Sequence, residues 1–228
     1  MKKFILAVFL ISQIVLKSQT NLPFYETRAT HWGFTFGLNY SGYNLFKNQT
    51  FVDSNYYIAI EGKANPGFLL GPVLNIKIAK YLDIRFLINI SFTERSINYF
   101  LLDKENSTTK TTIKIPSSYI EMPVLFKYKA ARIKNLAPYI IFGVNAKYDI
   151  ATTKKIDFDQ PHLKISPFDF QFELGPGLDF YLPYFKFSIE LKYGNGINNI
   201  LDPEQTIFAS PLEAIKTNCF YLSFHFEG

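Results

Sequence analysis

The chain has 228 residues, with 24 basic and 19 acidic side chains, a net charge of +5, 48% hydrophobic residues and 18% aromatic ones. Lys2, Lys3 and Lys17 fall in the first 18 positions, and the remainder is balanced at 21 basic against 19 acidic with no basic block, which excludes nucleic-acid binding. The single cysteine, Cys219, excludes an internal disulfide framework.

The N-terminal segment opens Met1-Lys2-Lys3, runs apolar from Phe4 to Leu16 apart from Ser12 and Gln13, and turns polar at Lys17-Ser18-Gln19-Thr20. That order is expected of a secretory signal peptide cleaved after Ser18, although Leu16 is larger than usual three positions before the cut. A membrane anchor helix needs ~20 apolar residues, more than this run supplies. One domain is then expected over residues 19–228.

Eight segments alternate with period two: residues 31–40, 67–78, 81–93, 119–129, 138–149, 167–180, 184–193 and 217–227. In the third, Leu82, Ile84, Phe86, Ile88, Ile90 and Phe92 share one face of an extended chain. Asp83, Arg85, Asn89, Ser91 and Thr93 share the other, with Leu87 as the apolar exception. An unbroken apolar face opposite a charged one is unusual for a soluble sandwich. It is expected where a barrel faces lipid outside and a polar lumen inside. A mean hydropathy of +0.03 fits such alternation, because the two faces cancel. The segments are close to the ~9–11 residues that a tilted strand needs to cross a membrane. The predicted fold is all-β: an eight-stranded antiparallel transmembrane β-barrel of the outer-membrane type, with up-and-down topology.

The connections alternate in length. Those at Ala79-Lys80, 130–137 and Tyr181–Pro183 are short, and those at 41–66, 94–118, 150–166 and 194–216 are long. Short periplasmic turns and long external loops are the outer-membrane pattern. The even strand count then places both termini in the periplasm. Trp32, Tyr81, Tyr128, Tyr181 and Tyr184 are expected in one aromatic girdle, and Tyr40, Tyr119, Tyr148 and Tyr193 in the other. Pro72, Pro123 and Pro176 lie inside predicted strands of a barrel that has no edge, so bulges are expected there.

A barrel of eight strands is filled by its own side chains. The predicted lumen holds a near-balanced charge network that includes Arg85, Glu121, Lys127, Asp179 and Glu190, with Arg85 and Glu121 as the central pair. His31 and His225 face inward near the seam between the first and last strands. With Ser223 they could be read as the remnant of a hydrolase, but a closure contact accounts for them more simply. His162 lies in a long loop. No zinc spacing, nucleophile elbow or phosphate loop is present, so neither catalysis nor a metal or other cofactor is expected. Loop 41–66 carries Tyr43, Phe46, Phe51, Tyr56 and Tyr57, many aromatics for a solvated loop. They are expected to fold over the barrel mouth or to contact another protein.

Tyr119-Ile120-Glu121-Met122-Pro123-Val124-Leu125-Phe126-Lys127-Tyr128 resembles the central signature of the outer-membrane β-barrels of the Bacteroidota. Pro138–Gly143 and Gly175–Tyr181 are similar to the two strands that follow it there. Within that group three stretches resemble the PorT family: His31–Asn39, Asn65–Gly71, and Asp83–Phe86 leading to Phe92–Arg95. The resemblance implies a non-catalytic component of the type nine secretion system, which exports proteins across the outer membrane and in some relatives supports gliding. It also implies outer-membrane lipids and other subunits of that system as partners. The rival expectations are a general surface barrel that binds a ligand or partner through its external loops, and a membrane-embedded lipid-modifying enzyme built on His31 and His225.

Overall fold

The computed structural model describes residues 21–49, 51, 57–102, 107–151, 163–202 and 208–228. The expected signal peptide, Tyr56 and His162 lie outside them. A short 3-10 turn (Tyr25–Thr27) precedes nine strands: β1 (Thr30–Lys47), β2 (Tyr57–Lys77), β3 (Leu82–Leu87), β4 (Asn89–Leu102), β5 (Thr108–Lys129), β6 (Leu136–Asp149), β7 (Phe168–Tyr181), β8 (Lys186–Gly196) and β9 (Leu212–Glu227). Every pairing is antiparallel. β3 and β4 form a single stave broken at Ile88, since both lie between β2 and β5. The β1–β9 ladder, from Gly33↔Glu227 to Lys47↔Leu212, closes eight staves into a ring.

The prolines are placed by what they lack. Pro72 and Pro123 flank the break at Ile88 from either side. Neither has an N–H to donate, yet the registers on both sides of them are unshifted. The Ile88 amide still donates to the Pro72 carbonyl at 3.3 Å. Half of each pairing is lost without any extra residue, so the bulges expected at Pro72 and Pro123 do not form. At Pro176 the β7–β8 register likewise continues unshifted, from Leu174↔Tyr193 to Gly177↔Glu190. A register shift does occur between Ala64 and Phe68 of β2, around Pro66, and others at Phe46/Lys47 and Tyr57/Ala59.

The strands run further than their apolar faces suggest. Residues expected in loops at 41–66 and 94–118 are largely β-ladder, up to Leu102↔Thr108. The wall made by β9, β1, β2, β4 and β5 is therefore tall. At the opposite end the short turns gather with residues 21–29 and Gly228, whose amide donates to the Trp32 carbonyl.

Two chemistries divide the ring by height. On the lower part the exposed residues are Trp32, Phe34, Phe36, Leu38 and Tyr40 of β1, Phe86, Ile88, Ile90 and Phe92 of the β3–β4 stave, and Phe170, Phe172 and Leu174 of β7. The inward positions there are mostly charged or polar, with Val73, Leu87, Leu125 and Ile141 forming an apolar patch beside Tyr139. Above, the pattern inverts. Tyr43, Ile60, Ile97, Tyr99, Leu101, Ile113, Leu212 and Ile215 turn inward to form one apolar cluster with Ile165 and Ile200. Lys63, Lys110 and Lys114 stand exposed outside.

Candidate functional site: a salt-bridged lumen

Alternation on tilted strands aims every second side chain of the lower staves inward. Arg85 of β3 crosses the full lumen to Glu190 of β8, the stave opposite in a ring of eight, with Nη1 at 2.7 Å from the carboxylate. Its Nη2 donates to Glu227 of β9 at 2.8 Å. All three side chains are fully buried. Lys127 bridges Asp179 at 2.7 Å, Lys186 bridges Glu227 at 2.8 Å and Lys192 bridges Glu173 at 2.8 Å. Lys147 reaches Glu121 at 3.5 Å and donates to the Tyr221 hydroxyl. Buried charges persist only where they are paired and hydrogen-bonded. Ser188 on Asp179 at 2.6 Å and Asn145 on Glu173 at 2.6 Å complete the shells.

Tyr139 is the hub of this layer. Its hydroxyl donates to Glu190 at 2.8 Å. Lys127 Nζ lies 3.8 Å from its ring centroid and the Arg85 guanidinium carbon 5.6 Å from it, so the ring face shares the cationic charge. The ring can lie across the wall because its register partner is Gly177: a Cβ there would fall 2.1 Å from the ring.

The five lumen residues expected from the sequence thus all enter ion pairs, but the expected Arg85–Glu121 pair does not form. Arg85 stands opposite Leu125 and Glu121 opposite Asn89, four residue steps or about 13 Å apart along the wall. Glu121 pairs instead with the adjacent stave, and Arg85 with the far side. Sequence reading missed Glu227, which shares the inward parity of His225 and Ser223, and Lys129, which bridges Asp83 at 2.9 Å.

The two histidines stay apart. His225 Nδ1 meets Thr35 Oγ1 at 2.7 Å across the β1–β9 seam, and its Nε2 lies 3.5 Å from Glu190. His31 stacks on Tyr25, with centroids 3.7 Å apart. The pair therefore offers no shared catalytic centre. Two girdle tyrosines also turn inward: Tyr181 packs with Tyr25 and Ala137, and Tyr119 binds Arg95. Trp32, Tyr81, Tyr128, Tyr184, Tyr40 and Tyr193 are exposed on the outer wall.

The short-turn end is stoppered by residues 21–29. The Tyr25 hydroxyl donates to Glu227 at 3.3 Å, and the Glu26 carboxylate accepts from the Tyr181 hydroxyl and from Lys129. Burial alone would raise the Glu26 pKa. The Tyr181 bond and the Lys129 charge outweigh it and hold the carboxyl below its ordinary value. At the tall end, Tyr43 is buried in the apolar cluster and Phe51 and Tyr57 pack against it, whereas Phe46 is exposed. Most of the described aromatics of loop 41–66 therefore line the mouth. Among the described residues, no group of three His, Cys, Asp or Glu side chains is placed to hold a metal ion.

A comparison with curated proteins finds no match. Among solved structures, the outer membrane protein OprG of Pseudomonas aeruginosa is 12% identical over 87% of this chain and 95% of its own, with a TM-score of 0.43. Neisserial surface protein A is 7% identical over 87% and 99%, with a TM-score of 0.44. Ail, the attachment invasion locus protein of Yersinia pestis, is 12% identical over 88% and 100%, with a TM-score of 0.38. Likenesses this distant transfer no role. The family model described as outer membrane protein beta-barrel domain matches residues 16–202, and the chain belongs to that family: it is an antiparallel β-barrel protein of the bacterial outer membrane.

Proposed function

We propose that this barrel is a non-enzymatic accessory or assembly subunit of the type nine secretion system, with both termini in the periplasm and the tall wall outside the cell. The observation that carries the reading is the filled lumen. Arg85 bridges opposite staves, and Tyr139, Lys127, Asp179 and Glu227 occupy the space around it. Such a lumen supports a role in contacts with other proteins more than one in conduction, and a barrel of eight strands is too narrow for folded cargo. The PorT-like stretches at His31–Asn39, Asn65–Gly71, Asp83–Phe86 and Phe92–Arg95 supply the choice of system. The partners in this reading are outer-membrane lipids and other subunits of the secretion machine. A deletion strain tests it by comparative proteomics of medium and envelope. Cargo with C-terminal secretion signals is expected to accumulate in the periplasm, and unchanged export rejects the role.

A second reading, a surface barrel that binds ligand or partner at its tall end, is favoured by the exposed Phe46 and Ile58 near that rim. It predicts that shortening the 48–56 and 150–167 connections abolishes function while export stays normal.

A further inference from the structure

Arg95 differs from the other buried cations of the lumen. Arg85, Lys127, Lys129, Lys147, Lys186 and Lys192 each have a carboxylate within salt-bridge distance. Arg95 is fully buried, yet no carboxylate among the described residues lies within that distance of it. Its Nη1 donates to the Tyr119 hydroxyl at 2.7 Å, and its guanidinium carbon sits 5.0 and 5.3 Å from the ring centroids of Tyr119 and Tyr43. Nε and Nη2 have no partner. These two nitrogens form the edge that presents parallel N–H donors, the fork that carboxylates and phosphates take.

The surroundings match an anion. Thr93 lies two residues below Arg95 on the same inward face of β4, and Ser117 is its register partner on β5. Both hydroxyls are buried without a partner. The acids at this level stay beyond salt-bridge distance of Arg95, and Asp169 engages Oδ2 while its Oδ1 has no partner. Asp169 accepts from Thr217 at 2.8 Å and Gln171 at 3.2 Å, while Asp149 accepts the amides of Ser118 at 3.2 Å and Ala151 at 2.9 Å. Directly above, Ile97 and Tyr99 begin the apolar cluster, so bulk water is held off the guanidinium from that side. A buried cation without a paired counter-charge is costly, and the Arg95 fork, Thr93 and Ser117 leave unpartnered N–H and O–H groups on the same inward face of β4 and β5.

We propose that Arg95, Thr93, Ser117 and Tyr119 form a binding site for one small oxyanion, a carboxylate or a phosphate, inside the barrel below the apolar cluster. The site does not depend on the secretion role. The test uses the full chain folded in detergent micelles, with acetate or inorganic phosphate replacing chloride at fixed ionic strength. The Arg95 Nε–H resonance is expected to shift saturably with at least one of the two oxyanions and not with chloride. The responding anion identifies the class. Thr93→Val with Ser117→Ala is expected to weaken binding about tenfold, as lost hydrogen bonds to a charged group do. Arg95→Gln is expected to abolish the accompanying rise in melting temperature. If Arg95→Gln fails to fold, the wild-type resonance and the double variant still decide. An unmoved resonance, as for a fork satisfied by water shared with the free Asp169 Oδ1, overturns the proposal. So does a shift that chloride reproduces, or one that the double variant leaves unchanged.

Discussion

Below Arg95 the barrel wall is apolar outside and mostly charged or polar inside; above it the same strands are mostly polar outside, Phe46 and Ile58 apart, and apolar inside. β4 shows the exchange in a single stretch. Asn89, Ser91, Thr93 and Arg95 face inward below, and Ile97, Tyr99 and Leu101 face inward above. The opposite face changes from the exposed Ile90 and Phe92 to the polar Glu94, Ser96 and Asn98, of which Ser96 and Asn98 are buried and hydrogen-bonded to Asn65 and Thr112 of the neighbouring strands. No break in the β4–β5 ladder marks the crossing. On the other side of β4 the β2 register shifts at this level, between Ala64 and Phe68, so the backbone adjusts in β2 alone while the surrounding medium decides which side chains turn inward. Turning an apolar side chain inward from water stabilises by about 1.5–3 kcal/mol. Turning it inward from hydrocarbon gains nothing of that kind, because lipid tails are as apolar as leucine. The lower wall is thereby free to spend its interior on ion pairs, which fix how the staves are staggered, while the upper wall is held together as a water-soluble protein is.

The largest expected effects separate the two regions. Arg85→Met leaves Glu190 and Glu227 buried with the cation they share gone, and should cost about 3–5 kcal/mol in unfolding from lipid vesicles. Ile97→Ala is the matching change above and should cost about 2–4 kcal/mol. Amide exchange should show the loss confined to the tall wall. If both variants loosen the whole barrel equally, the two regions are one cooperative unit.

A smaller contrast uses the outer surface. Val144→Lys places a charge at mid-height on the lipid face and should destabilise by about 2–4 kcal/mol. Thr112→Lys, outward on the tall wall, loses one hydrogen bond to Asn98 of 2.9 Å and should cost no more than about 0.5–1.5 kcal/mol. Equal effects would remove the boundary between media.

The smallest effect concerns the stopper at the short-turn end. The Glu26 carboxyl is held below its ordinary value of 4.5 once folded. Its contribution is therefore fully present above that value and is lost as pH falls through the lower, folded one. Acidification below about 4.5 should speed amide exchange of residues 21–29 before the wall responds, and Glu26→Gln should remove that dependence.

The lower barrel was legible in the sequence because its outward apolar face repeats every second residue and the short turns punctuate it. The upper wall was not. Following the apolar face along β1 leads outward to Tyr40, but Tyr43 and Leu45 continue the opposite, inward phase. In β2 the irregularity around Pro66 does change the phase: Leu69 and Gly67 face inward below it, Ala64 and Ile60 above it. A reader tracking one face sees a strand end where only the medium changes. Lumen membership could be read from alternation, but partners could not. That Arg85 meets Glu190 and not Glu121 depends on how far the staves are staggered around the ring, which no local pattern encodes. Arg95 enters the sequence reading only within the family-like stretch Phe92–Arg95 and not as a lumen residue, since it sits where the chemistry of the two faces exchanges.

The inversion also constrains how the protein is assembled. Glu61, Lys63, Lys110 and Lys114 ride on the outward faces of strands whose lower halves rest in hydrocarbon. In the proposed orientation, with the short turns in the periplasm, these tips cross the bilayer before the apolar cluster between them can gather in water. The cluster is therefore a late event, a latch that closes behind the crossing and makes withdrawal of the strands unfavourable.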